Sequence, residues 1–73
     1  MPYRSNADLP PQVRDHLPIH AQDIFRAAFN HAFAAHGDEP DGEATAFRIA
    51  WAAVHKRYRK AGDHWIAIDP TGG

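Results

Sequence analysis

The sequence predicts a mostly α-helical domain: a compact orthogonal array of three helices with a short extended C-terminal segment, for which the N-terminal arm is the candidate strand partner. Three observations carry that prediction. Apolar residues recur with helical period from Ile19 to Ala35 and again between Glu43 and Lys60. Pro18, Gly37 and Gly42 punctuate the chain at the ends of those stretches. The segment His64-Trp65-Ile66-Ala67-Ile68 is too short and too rich in aromatic and β-branched residues to be a helix.

Each element has a local reason. Met1 to Ala7 reads as an extended arm carrying Tyr3. Asp8 is expected to cap a short helix, because Pro10 and Pro11 fall where first-turn prolines cost no hydrogen bond. Val13 and Leu17 lie four apart and share one face of it. Pro18 disfavours helical geometry at Leu17, so it closes that helix and opens the next. From Ile19 to Ala35, Ala21, Ile24, Phe25, Ala28, Phe29, Ala32 and Phe33 form one stripe, with Gln22, Asp23, Arg26 and Asn30 mostly off it. Gly37 is expected to take a left-handed cap conformation. A polar turn from His36 to Gly42 follows, and Asp41, or alternatively Asp38, caps a third helix from about Glu43 to Lys60. Phe47, Ala50, Trp51, Val54 and Tyr58 make its stripe, and Gly62 stops it. Residues 1–69 read as a single domain and residues 70–73 as a flexible tail.

Two helices with aromatic stripes, each too short to stand alone, bury those stripes against each other. The expected core is Phe25, Phe29, Phe33, Phe47, Trp51 and Val54, with Tyr58 and Trp65 packed on it. Alanines at 28, 32, 46, 50 and 53 let the helices approach closely.

Composition narrows the function. The 73 residues contain no cysteine, which excludes disulfides, thiolate zinc sites and a thiol nucleophile. A net charge of −1 gives no general attraction to nucleic acid or lipid. Arg4, Asp8, Arg14 and Asp15 do not fit the apolar core of a secretion signal, and no run approaches the ~20 apolar residues of a membrane-spanning helix. These features suggest a soluble, cytoplasmic protein whose membrane role, if it has one, runs through a partner.

Catalysis has little to work with. Ser5, the only serine, lacks nucleophile-elbow glycines, and the only glutamates, Glu39 and Glu43, sit in or beside an exposed turn. A chain this small also struggles to enclose a water-excluding cleft, so the expectation is a binding protein and not an enzyme. The six histidines lack metal-ligand spacing: Pro18 interrupts the helix between His16 and His20, and there is no HExxH. The Asp38 to Glu43 turn lacks the ligand order of a calcium loop. No cofactor or metal is expected.

One cluster has more charge than a helix end requires. Lys56, Arg57, Arg59 and Lys60 surround Tyr58 near the expected end of the third helix, while Asp38, Glu39, Asp41 and Glu43 crowd its start. Cations at a helix C-terminus and anions at its N-terminus stabilise the helix dipole, which is a sufficient structural reason for the pattern. The functional reading is a docking surface made by the charged ends of the helix, Lys56, Arg57, Arg59 and Lys60 together with Asp38 and Asp41, with the basic end suited to an acidic protein segment, phosphate or nucleic acid.

The order of the pieces resembles the ChaB family. Met1-Pro2-Tyr3-Arg4, Asp8-Leu9-Pro10 with Val13, and Leu17-Pro18-x-His20-Ala21-Gln22-x-Ile24 match its opening. Ala28-Phe29-Asn30-x-Ala32, Thr45-Ala46-x-x-x-Ala50-Trp51-Ala52-Ala53-Val54, Tyr58 and Gly62-Asp63-x-Trp65 continue the match to about Ile66. The resemblance implies a compact helical fold and a cytoplasmic regulator of a calcium/sodium–proton antiporter. It brings no catalytic or metal-ligand residue with it. Asn30, Thr45 and His20 are its matched polar positions, for which buried hydrogen bonding or capping is a sufficient explanation.

Overall fold

A computed structural model describes residues 3–68. Its elements run in the order 3-10 turn Asn6–Asp8, helix α1 Pro11–Arg14, helix α2 Ile19–His36, helix α3 Gly42–Arg57, strand β1 Tyr58–Ala61 and strand β2 His64–Ala67. The expected loose tail beyond Ile68, including the boundary at residue 69, lies outside the described residues.

Helices α2 and α3 pack against each other and supply most of the core. Phe25 and Phe29 of α2 and Val54 of α3 are fully buried, with Ala21, Ala32, Ala46 and Ala50 between the helices. Phe33, Phe47, Trp51, Tyr58 and Trp65 are partly buried against that centre. Phe47 and Trp51 meet Phe25 edge-on at 5.2 and 5.3 Å between centroids, the arrangement that aligns a ring's positive edge with a negative face. The alanines allow this close approach, because a methyl adds little thickness to the helix pair.

The short N-terminal elements close one end of this core. Leu9, Val13 and Leu17 are buried there, and full burial of each such side chain contributes about 1.5–3 kcal/mol. Asp8 does not cap α1: it belongs to the preceding turn, Leu9 is extended with ψ 149°, and Pro10 occupies the cap position without a side-chain bond. Leu9 is extended because it precedes a proline, which interrupts the helix expected from Asp8.

Gln22 is the one buried polar side chain among the described residues. Its Nε2 donates to the Leu17 carbonyl at 2.7 Å and the Arg14 carbonyl at 3.0 Å, satisfying two acceptors where α1 ends. Gln22→Ala removes the side-chain donor that both carbonyls share. The expected loss is about 1–3 kcal/mol by urea denaturation, whereas an exposed change such as Gln12→Ala stays near wild type.

Three other expectations are corrected. Gly37 is right-handed, with φ −63°, because the chain leaves α2 through successive helix-like turns: Glu39 N–H to His36 O at 2.9 Å, then Gly42 N–H to Glu39 O at 3.0 Å. Asp41 occupies the N-cap position of α3 but makes no capping bond, since φ −108° and ψ 23° are not the extended geometry that aims a cap side chain inward. Helix α3 ends at Arg57 and not at Lys60.

At Tyr58 the backbone turns extended, with φ −135° and ψ 151°, and the chain enters an antiparallel hairpin. Tyr58 pairs with Ala67, Arg59 with Ile66, Lys60 with Trp65 and Ala61 with His64. Gly62, expected to stop the helix, instead opens the two-residue turn with φ +64°, a conformation glycine adopts without steric cost. The extended segment therefore pairs with the residues just before it and not with the arm around Tyr3. Local pairing wins because it closes a two-residue loop, whereas the arm is more than fifty residues away in sequence.

The arm is held differently. Asn30 accepts from the Tyr3 N–H and donates to the Tyr3 carbonyl, both at 2.8 Å. Arg26 donates to Asn6 at 2.8 Å and to the Arg4 carbonyl at 3.2 Å. Together these bonds lay the arm along α2 and place Tyr3 on Phe29 at 4.7 Å.

Candidate interaction surface

The basic cluster straddles the junction of α3 and the hairpin. Lys56 and Arg57 form the last turn of the helix, and Arg59 and Lys60 lie on β1. All four are exposed, and none takes part in an ion pair among the described residues. His55 and Lys56 precede the end of α3, so part of this charge meets the negative pole of the helix dipole. Arg59 and Lys60, already off the helix, are not needed for that purpose.

Strand pleating sorts the hairpin's side chains. By register, Tyr58, Lys60, Trp65 and Ala67 share one face, and Arg59, Ala61, His64 and Ile66 share the other. The Trp65 side packs on the helices: its ring stacks on Trp51 at 5.8 Å and meets His55 at 5.2 Å. A lone two-stranded hairpin is marginal in water, and this aromatic contact supplies the support it needs. Ile66 and Ile68 are left 40% and 37% exposed, which makes the outer side of the basic end partly apolar.

Two shallow grooves flank Tyr58. One, of about 350 Å³, runs between His20, Asp23 and Ile24 of α2 and Arg57, Ala67 and Ile68. The other, of about 200 Å³, lies between His55, Arg59, Lys60 and Trp65. Asp23 is already engaged, accepting from Asn6 at 2.7 Å and facing Arg26 at 3.7 Å, so Arg57 at the first groove has no anionic partner among the described residues. The chemistry on offer is cation plus apolar floor, which suits carboxylate-bearing or phosphate-bearing partners.

The acidic residues lie apart from the basic cluster. Asp38 and Asp41 are exposed at the opposite end of α3, about 22 Å away at 1.5 Å per residue. Glu39 there meets His36 at 3.0 Å; burial, with a smaller push from the Glu43 carboxylate, raises the pKa of the Tyr3 hydroxyl above its ordinary value. Tyr3 and Glu43 border a third groove, of about 480 Å³, with Pro10, Ala44, Phe47 and Arg48. The structure thus gives α3 two separate charged tips.

The polar positions singled out in the sequence divide. Asn30 clamps the arm, His20 stands exposed on a groove, and Thr45 is half-buried with its N–H bonded to the Asp41 carbonyl at 2.8 Å. Sequence reasoning missed Ile66 and Ile68 as surface residues. Gly62-Asp63, a glycine-led turn pair directly before the β-prone run from His64 to Ile68, is the hairpin signal that would have exposed them.

Ser5 is exposed, its hydroxyl 3.4 Å from Asp8. Among the described residues no three His, Asp or Glu side chains gather closely enough to hold a metal ion, and no helix is long and apolar enough to cross a membrane.

With this geometry in place, comparison with known proteins is informative. The ChaB family model matches residues 9–67. A relative from Escherichia coli K12 named "Putative cation transport regulator ChaB" is 45% identical over 69 residues, covering 86% of this chain and 91% of the relative. A relative of the same name from Shigella flexneri matches to the same extent. Among solved structures, the NMR solution structure of a protein of that name superposes with a TM-score of 0.81 at 41% identity, covering 93% of this chain and all of the other.

Proposed function

The chain belongs to the ChaB family, and we propose that it is a cytoplasmic, non-catalytic regulator that docks through the basic end of α3 and the adjoining hairpin onto the cytosolic face of a calcium/sodium–proton antiporter. The observation that carries this reading is the set of four exposed cations, Lys56, Arg57, Arg59 and Lys60, with no anionic partner among the described residues. Charges left uncompensated at the edge of an apolar patch steer association and fix its register. Two of the four lie beyond the helix, where a dipole argument does not reach. The family name supports a transport partner, and the antiporter is the partner that the family resemblance implies.

Reversing all four cations to glutamate is expected to abolish co-purification with the antiporter from membranes. The same number of reversals among exposed residues elsewhere leaves it intact. Undiminished recovery of the antiporter by the fourfold variant, with its circular dichroism unchanged, removes the basic end from the interface.

One observation favours a second reading, nucleic-acid binding. Tyr58, Trp65 and His55 stand beside Arg59 and Lys60, the pairing of rings and cations that single strands use. That reading requires retardation of an oligonucleotide at low salt which falls away steeply as salt is added.

A further inference from the structure

Helix α3 is self-complementary along its solvent side. Asp41, Thr45, Ile49, Ala52 and Lys56 succeed one another at steps of three and four residues and so form one stripe. Asp41, Ile49, Ala52 and Lys56 are exposed, Thr45 is half-buried, and Ile49 is 40% exposed. The opposite side of the helix carries the buried residues Ala46, Ala50 and Val54. The stripe is therefore not the core face, and no element among the described residues covers it.

The spacing has a symmetry. Asp41 and Lys56 lie equally far from a point between Arg48 and Ile49, and Thr45 and Ala52 lie equally far from the same point. Laying a second copy of the helix antiparallel across that point places Asp41 of each copy beside Lys56 of the other. It sets Thr45 against Ala52 twice and brings the two Ile49 side chains together at the axis. Arg48 flanks the axis, where its aliphatic stem can cover Ile49 of the other copy while the guanidinium stays in water. Neither Asp41 nor Lys56 has an ion-pair partner within the described chain. The helix dipoles also oppose each other in this arrangement, with each acidic start beside a basic end.

We infer that α3 is the interface of a twofold symmetric dimer of this chain. The same patch serves both copies, which is the isologous, self-closing arrangement of most small homodimers. One helix from each side makes a small contact carried largely by charge, so association is reversible and weakens with salt. The inference is independent of the antiporter reading, although dimerisation covers Lys56 and would compete with docking there.

The chain has no native cysteine, so one introduced thiol reports the contact cleanly. Ile49→Cys in the purified full-length protein, under mild oxidation at low salt, is expected to form disulfide-linked dimer several-fold faster than Ala35→Cys, an exposed position on α2. Adding Lys56→Glu to Ile49→Cys removes the excess, and adding Asp41→Lys as well restores it. About 1 M salt, where the screening length is about 3 Å, suppresses it. Equal crosslinking of the Ile49→Cys and Ala35→Cys proteins, or crosslinking of the Ile49→Cys protein that Lys56→Glu leaves unchanged, overturns the inference. No antiporter is present, so the outcome does not depend on the docking surface.

Discussion

Phe29→Ala is expected to leave this chain without a cooperative folding transition, or with one displaced downward by tens of degrees. Phe29 is fully buried and meets four rings: Tyr3 at 4.7 Å, Phe33 at 5.7 Å, Phe47 at 6.2 Å and Phe25 at 6.4 Å. Its ring contacts join the arm, α2 and α3 at one point. Truncating a buried phenylalanine costs about 3–5 kcal/mol, through lost transfer energy and the cavity left behind. Whole domains are stable by only about 5–15 kcal/mol, and one of 73 residues belongs near the lower end. Each kcal/mol moves the midpoint of a domain this size by about 4–8 °C, so thermal denaturation followed by circular dichroism reads the effect directly. Phe33→Ala, at a partly buried ring, is expected to cost visibly less.

Gly42→Ala comes next in size, for a different reason. Gly42 is the first residue of α3 and is buried where that helix starts against the end of α2. A β-carbon there would fall well inside contact distance of the His36 carbonyl oxygen and 2.9 Å from the Gly37 α-carbon. Those obstacles are backbone atoms, so no side-chain rotation relieves them, and the two helices must separate. Overpacking typically costs about 1–3 kcal/mol, and a backbone clash belongs at the upper end of that range or above it. The expected result is a lowered urea midpoint with reduced burial of Phe33. Gly62→Ala provides the contrast: open space surrounds that position, and its penalty comes only from the positive φ. A Gly42→Ala protein as stable as wild type would mean that the α2–α3 turn is loose enough to absorb the added methyl.

Much of this architecture was legible because it is local and periodic. The stripe from Ala21 to Phe33 identifies the buried side of α2, and Phe25 and Phe29 sit at its centre with no solvent exposure. Where the sequence misled, a contact outside the helix itself decided the structure. Lys56 to Lys60 contains no helix breaker, so the period runs on through Tyr58, yet pairing with His64–Ala67 pulls Tyr58 to Ala61 into a strand. Gln22 looked like a solvent-facing residue off the stripe. It is buried because α1 and the Leu17 turn fold over it, which no property of α2 alone reveals. Leu9 and the arm contacts of Asn30 were hidden for the same reason.

The candidate surface was legible in composition but not in shape. The four cations are visible as a cluster in the sequence, and their lack of intramolecular partners among the described residues is a fact of the fold. That Arg59 and Lys60 leave the helix matters most, because it separates them from the dipole that would otherwise account for them. Asp38 and Asp41, grouped with the cations in the sequence, belong to a different tip of the molecule.

The most direct measurement is photocrosslinking in native-host cells, with a benzophenone side chain placed at Arg59 in one strain and at Ala27, an exposed position on α2, in another. The strain carrying the probe at Arg59 should capture the antiporter, and the strain carrying it at Ala27 should not. Capture of the antiporter from Ala27 with none from Arg59 would place the docking face on α2 and contradict the role assigned to the basic end.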